Sequence, residues 1–433
     1  MDNTKTGNYR WVICALLFFA TTINYVDRQI LGYLKPTLEV EFNWTESDYA
    51  NIVTVFAGCY AFGYIIFGNF IDKIGSKLGY SVSIIIWSIA AIAHAFVKST
   101  FGFGAARAVL GLGEAGNFPA AVKSVAEWFP KKERALATGI FNSGTSIGAV
   151  AAPIIVPWLL GTYGWQMAFI ITGAFGFVWL IFWWFLYEIP SRQKRLSAAE
   201  YEYIHSDNEA DTSATDKPIK WASLLRLKQT WVFIIGKFLT DPIWWFFLFW
   251  LPSYFATTFS LDLKKPSIHL VVVYTATTFG SIGGGYLSSY LIKKGWAPLR
   301  ARKITLLIVA FAVLPIMLAQ FATNIWVAVG IISVAAAAHQ AWSSNIFTIV
   351  SDLFPKRAVS SVVGMGGFVG SMGSTLFPLL VGALLDYYKA AGNIGAGYNI
   401  LFIICGCTYF VAWTCIQLLT KKMTPVEEAL RDL

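Results

Sequence analysis

Charge is what this sequence has least of. Asp, Glu, Lys and Arg make up 13% of its 433 residues, against roughly 25% in a soluble domain. That excludes a chain surrounded by water. Histidine is scarce at 4 residues and cysteine at 5. The histidines are scattered, and no metal-ligand spacing is present. Cys14, Cys59, Cys405, Cys407 and Cys415 all fall in apolar stretches. An odd number at that depth reads as small packing residues, not a disulfide framework. No nucleophile–base constellation is evident, so no catalytic residue is assigned. A cleavable signal peptide is not evident either, because the first apolar run is too long and more follow. The alternating pattern of a membrane barrel is missing too.

What the chain has is apolar length. Hydrophobic residues reach 56% and mean hydropathy is +0.59. Twelve apolar stretches lie near 11–34, 49–71, 79–98, 101–125, 136–160, 166–187, 231–256, 268–292, 303–321, 325–349, 360–386 and 397–420. Each is about 20 residues, enough to cross a bilayer as a helix. The formal charge of +9 reports topology rather than nucleic-acid binding. Most Lys and Arg fall in the tails and even-numbered loops, among them Lys73, Lys77, Lys131, Arg192, Lys293, Arg302, Lys356 and Arg357. Few fall in odd-numbered loops: Lys35, Lys98, Lys264, Lys265 and Lys389. The positive-inside rule then puts both termini and the long central loop in the cytoplasm.

The chain is internally duplicated. Trp128-Phe-Pro-Lys-Lys132 after the fourth stretch matches Leu353-Phe-Pro-Lys-Arg357 after the tenth, and Gly139, Ser146, Gly148 and Pro153 pair with Gly364, Ser371, Gly373 and Pro378. The expected organisation is a six-helix half over 1–187, a cytoplasmic linker over 188–230 and a second half over 231–433. Parallel repeats of this kind place a substrate site between the halves, near the midplane. The linker reads as a tether with a short interfacial helix, and Ser197-Ala-Ala-Glu200 is a possible capping box. Prolines inside the spans (Pro119, Pro153, Pro157, Pro252, Pro315, Pro378) predict bends.

Charges at membrane depth are costly and usually functional. Asp27 and Arg28 sit side by side in the first span. Asp27 lies ~24 Å from the start of that span, and Arg107 in the fourth span runs back to a similar depth. Glu114 falls two turns further on the same face as Arg107. Neighbours on a helix diverge by about 100°, so the expected arrangement turns Asp27 toward Arg107 and Arg28 toward the substrate. An inert network tying the two spans together is the alternative. Glu114 has no cation adjacent in sequence and is the candidate to take up a proton. Lys237 either snorkels to the inner surface or offers a second cation to the substrate. Asp241 before Pro242 reads as a cap on a broken turn. His339-Gln340 and the polar residues after them either bond between helices or face the substrate. Tyr60 either packs or presents its hydroxyl to the cavity.

Gly68-Asn-Phe-Ile-Asp72-Lys-Ile-Gly75-Ser-Lys77 resembles the signature between spans two and three of the major facilitator superfamily. The resemblance implies an all-α membrane protein with twelve transmembrane helices in two six-helix halves. Asn24-Tyr25-Val-Asp27-Arg28, Ala106-Arg107-Ala-Val-Leu-Gly111-Leu-Gly-Glu114 and Glu127-Trp-Phe-Pro-Lys-Lys-Glu-Arg134 are similar to patterns of its anion:cation symporter family. Lys237-Phe-Leu-Thr-Asp241-Pro-Ile-Trp244 and Ala338-His339-Gln340-Ala341 resemble the bacterial hexuronate transporters. The resemblance implies substrate contact for Arg28, Tyr60, Lys237, Trp244, His339 and Gln340. It implies proton coupling for Asp27 and Glu114, with Arg107 as their charge partner. The implied function is proton-coupled import of glucuronate, galacturonate or a similar sugar acid across a bacterial inner membrane. The carrier is expected to act as a monomer in the lipid bilayer, with the proton as coupling ion, no other cofactor and no nucleic-acid partner. An aldonate or other carboxylate is the alternative substrate. Phosphate-ester antiport, which usually uses two facing arginines, ranks low. So does a ligand sensor, which would carry an appended cytoplasmic domain beyond Thr420.

Overall fold

A computed structural model describes residues 7–207, 219–261, 267–421 and 426–431. Lys264, Lys265 and the middle of the expected linker lie outside the described residues. Among these residues every regular element is a helix. The first three spans are Tyr9–Phe42, Glu46–Ile74 and Ser76–Ala93. The fourth comes in two pieces, Thr100–Glu114 and Asn117–Trp128. The fifth and sixth share the helical run Lys131–Leu186, broken at Gly164. There φ is 83°, a backbone region that excludes most side chains, so glycine marks the turn.

The second half repeats the plan. Its spans are Lys228–Phe249 continued by Leu251–Phe259, then Ile268–Lys293, Pro298–Val313 with the 3-10 turns Leu314–Phe321, Ile325–Leu353, Val359–Ala390 and Ile394–Leu419. The twelve expected stretches are thus twelve helical columns. Prolines explain several irregularities, since a residue without N–H cannot close a helical bond. Pro119 follows the break in the fourth span, Pro252 follows the break at Trp250, and Pro315 opens the 3-10 turns of the ninth.

The linker is more than a tether. Ser197 caps the helix Ala198–Ile204 by accepting from Glu200 N–H. The carboxylate of Glu200 does not close the box. It accepts instead from the N–H groups of Tyr9 and Arg10, at 3.1 and 3.0 Å, and so caps the first span. Arg10 also pairs with Glu133 and Glu200 at 2.8 and 3.0 Å. All five cysteines are free.

The halves meet along a sealed seam near the face that carries the chain termini. Asp72 accepts from Ser360 N–H and Ser361 N–H at 3.3 and 2.6 Å, and pairs with Lys123 at 3.0 Å. Arg302 pairs with Asp352 at 3.0 Å and donates across the seam to the carbonyl of Lys131 at 2.8 Å. Glycines allow this approach: a Cβ on Gly285 would lie 2.1 Å from the carbonyl oxygen of Ala135, and one on Gly139 would lie 2.4 Å from that of Ser281. A hydrogen bond to a charged group contributes about 1.5–3 kcal/mol. Asp72→Asn is therefore expected to weaken the seal and shift the population toward a state open at this face. Spin labels on exposed Leu78 and Arg300 would then show a longer distance component. An unchanged distribution would remove Asp72 from the seal.

Candidate substrate and proton site

The first span supplies two charges at mid-membrane, and the structure separates them. Arg28 reaches the fourth span, where its Nε and Nη2 both lie 2.9 Å from Glu114 Oε2. The side chain of Arg28 is 17% exposed and that of Glu114 is 0%. Arg28 is thus the member that faces the cavity, with Glu114 sealed behind it. The guanidinium lies over Tyr60 at 4.4 Å, Tyr25 at 4.7 Å and Phe56 at 5.5 Å. These faces favour a cation without neutralising it.

Glu114 can hold this place because the fourth helix ends there. Gly111 and Gly113 let the helix lie close against the second and third spans, where a Cβ would come within 2.6 and 2.7 Å of their backbones.

The expected pairing of Asp27 with Arg107 does not form. Both carboxylate oxygens of Asp27 are buried without a hydrogen bond, as are Nε and Nη2 of Arg107. Arg107 donates its Nη1 to the carbonyl of Arg28 at 3.4 Å. The first span packs chiefly on the run that holds the fifth and sixth spans, not on the fourth. A side chain crossing from the fourth span therefore meets the backbone of the first rather than the Asp27 carboxylate.

The second half presents its own ion pair. Lys237 does not snorkel: it is 6% exposed, pairs with Asp241 at 2.8 Å and sits 4.4 Å over the ring of Phe347. Asp241 is that partner rather than a turn cap. A Cβ on Gly370 would meet the Asp241 carboxylate at 2.5 Å, so this glycine makes its room. Trp244 stacks on His339 with ring centroids 5.4 Å apart and planes 6° from parallel. His339 Nδ1 is 2.6 Å from the hydroxyl of Tyr409. Gln340 accepts from Asn142 of the fifth span at 2.8 Å, across the two halves.

These groups converge. An inner compartment of about 70 Å³ is lined by Arg28, Tyr60, Lys237, Asp241, Trp244, His339 and Gln340, with Tyr25, Asn142, Ser343 and Ser374. A second compartment of about 130 Å³ shares Tyr25, Arg28, Trp244 and Trp245, and continues past Gln29, Gly32, Tyr49 and Arg107 toward the face opposite the termini. Asp27 and Glu114 line neither space. Tyr25 and Asn142 line the inner compartment although no role was expected of them. Asn142 carried a readable signal: Asn142, Ser143, Thr145 and Ser146 form a polar run in an apolar span, as His339 to Asn345 do.

A charged, aromatic cavity at mid-membrane between two six-helix halves defines a multi-pass transporter rather than an enzyme. The chain belongs to the Major Facilitator Superfamily, whose sequence model matches residues 17–378. It is 33% identical over 420 residues to the hexuronate transporter of Escherichia coli (strain K12), covering 95% of each chain. It is 34% identical over 284 residues to the galacturonate transporter of Dickeya chrysanthemi, covering 65% of this chain and 82% of that one. Its fold resembles the crystal structure of a bacterial homolog to the human lysosomal transporter Spinster, inward-facing and unoccupied. There the TM-score is 0.60 and identity 18%, over 97% of this chain and 100% of the other.

Proposed function

We propose that this carrier imports a hexuronate such as glucuronate or galacturonate together with a proton, by alternating access in a bacterial inner membrane. The carrying observation is the Arg28–Glu114 pair, in which the cation faces the cavity and the acid is sealed behind it. The substrate carboxylate competes with Glu114 for one guanidinium. An ionised acid left unpaired in a dry site is strongly unfavourable, so a proton enters as the substrate takes the cation. Asp27, with neither oxygen bonded, suits a neutral, protonated form and is the second coupling site. Arg107, which donates to the carbonyl of Arg28, is the charge partner of this group.

The sugar has a matching surface. Tyr25, Tyr60 and Trp244 supply aromatic faces, and Lys237, His339, Gln340 and Asn142 supply polar ones. The names of the similar hexuronate and galacturonate transporters support this substrate class. With the termini in the cytoplasm, a placement the loop charges support, the sealed seam closes the inside and the cavity opens outward. The halves 1–187 and 231–433 would then rock about the linker 188–230 to reverse that access.

Labelled glucuronate should accumulate in energised vesicles, and a proton uncoupler should abolish the accumulation. Accumulation indifferent to the uncoupler would remove proton coupling. Galacturonate should compete for uptake more strongly than galactonate, and glucose should not compete. Dominant competition by galactonate would move the substrate to the aldonates.

A further inference from the structure

The described residues also enclose a cavity outside the transport path, at the face that carries the termini. Its volume is about 300 Å³, at the lower end of the range for small-molecule sites. Six cations line it (Lys73, Lys77, Lys123, Arg192, Lys356 and Arg357) against three acids, Asp72, Glu127 and Glu188. The acids are already engaged. Asp72 is held by Lys123 and Glu188 by Lys77, each at 3.0 Å, while Glu127 accepts from the hydroxyls of Ser76 and Tyr187. Among the described residues, Lys73, Arg192 and Arg357 have no ion-pair partner. Positive charge at this face follows from membrane topology. Topology does not account for a concave site whose excess cations come from three separate segments.

The provenance of those segments sets the consequence. Lys73 lies in the last turn of the second span, Arg192 lies in the linker, and Arg357 follows the tenth span. Two of the lining lysines, Lys123 and Lys356, are 4% and 8% exposed, so the floor is desolvated, while Lys73 and Arg192 stand exposed at its rim. Lys356 and Arg357 line the cavity from the second half, just before Ser360 and Ser361, which donate to Asp72 of the first half. We propose that this cavity binds a phosphate-bearing anion and that the bound anion holds the carrier sealed at this face. Guanidinium groups favour phosphate oxygens through paired, charge-assisted bonds. A ligand that needs residues of both halves binds the sealed state alone, and therefore draws the population to it. Such an anion is an inhibitor from the side of the termini, distinct from any competitor at Arg28.

Two sources share this chemistry: a soluble phosphate ester and an anionic phospholipid headgroup. A groove lined by Ile65, Ile66, Phe70 and Trp221 shares Lys73 with the cavity and offers an apolar path for an acyl chain. The test uses the full chain spin-labelled at Phe185, 75% exposed and outside the cavity lining, and at Arg300, in nanodiscs. In neutral phosphatidylcholine, glucose 6-phosphate should narrow the distance distribution onto the short, sealed component. The double variant R192Q/R357Q should require roughly tenfold more ligand or greater, because each lost charge weakens binding. If glucose 6-phosphate has no effect but phosphatidylglycerol in the disc produces the same narrowing, again lost in R192Q/R357Q, the ligand is the lipid. No narrowing by either probe overturns the proposal. Narrowing that persists undiminished in R192Q/R357Q also overturns it, since the anion then acts elsewhere. Glucose serves as the uncharged control. The readout is conformational, so it stands whatever solute the central site carries.

Discussion

Arg28→Ala is expected to abolish hexuronate uptake and to destabilise the protein at once. The two losses have different origins and can be separated. Uptake fails because the substrate carboxylate loses Arg28, among the described residues the one cation that faces both compartments, with 17% side-chain exposure. Stability falls because Glu114, with 0% side-chain exposure, is left behind without its partner. Removing one member of a buried pair costs about 3–5 kcal/mol, and proton uptake by Glu114 sets a ceiling on that cost. Arg28→Ala combined with Glu114→Gln should therefore recover much of the thermal stability while uptake stays absent. Arg28→Lys should not rescue uptake either. An ammonium does not present two donors to a carboxylate while lying flat against Tyr25 and Tyr60. A double variant as unstable as the single one would show that Arg28 supports the fold by packing, not through Glu114. Measurable uptake by Arg28→Ala would place the substrate carboxylate on Lys237 instead.

Much of this architecture is legible in the chain because a bilayer imposes few solutions. Backbone groups in lipid must be satisfied within the helix, so each apolar stretch becomes one helical column, and loop charges set its direction. Gly164 and Pro119 sit where the columns break, and both are breaker residues with a known mechanism. The site was less legible, for a reason of packing. Depth along a helix follows from rise per residue, and Asp27, Arg107 and Glu114 do converge at mid-membrane. Facing does not follow, because it depends on which helices touch. The first span lies on the run of the fifth and sixth spans, so the short Asp27 side chain does not reach Arg107 and the long Arg28 side chain reaches Glu114. Lys237 shows the same limit. Its place in the seventh span fitted snorkelling as well as burial, and only the packing of Asp241 and Phe347 around it decides. The polar run at Asn142 was readable, but its partner was not, since Gln340 lies 198 residues away in the other half.

Glu114→Gln gives the sharpest division between binding and coupling. Gln is nearly isosteric and keeps an acceptor for Arg28, so the helix geometry and the cavity should survive. What it removes is the charge that competes with the substrate, and the site where a proton answers substrate binding. Three results follow from that one change. Exchange of labelled for unlabelled glucuronate should persist, because neither direction of exchange needs net proton movement. Uphill accumulation should vanish, because substrate can now return without a proton. The half-saturating concentration for exchange should fall, by roughly tenfold if competition by Glu114 is worth about 1.4 kcal/mol. Wild-type uptake should decline as the pH on the cavity side rises, since the proton is a co-substrate, whereas exchange by Glu114→Gln should be flat over the same range. Asp27→Asn is the necessary comparison. If it alone loses accumulation while Glu114→Gln still concentrates glucuronate, the coupling proton resides on Asp27 and the pair at Arg28 serves binding only.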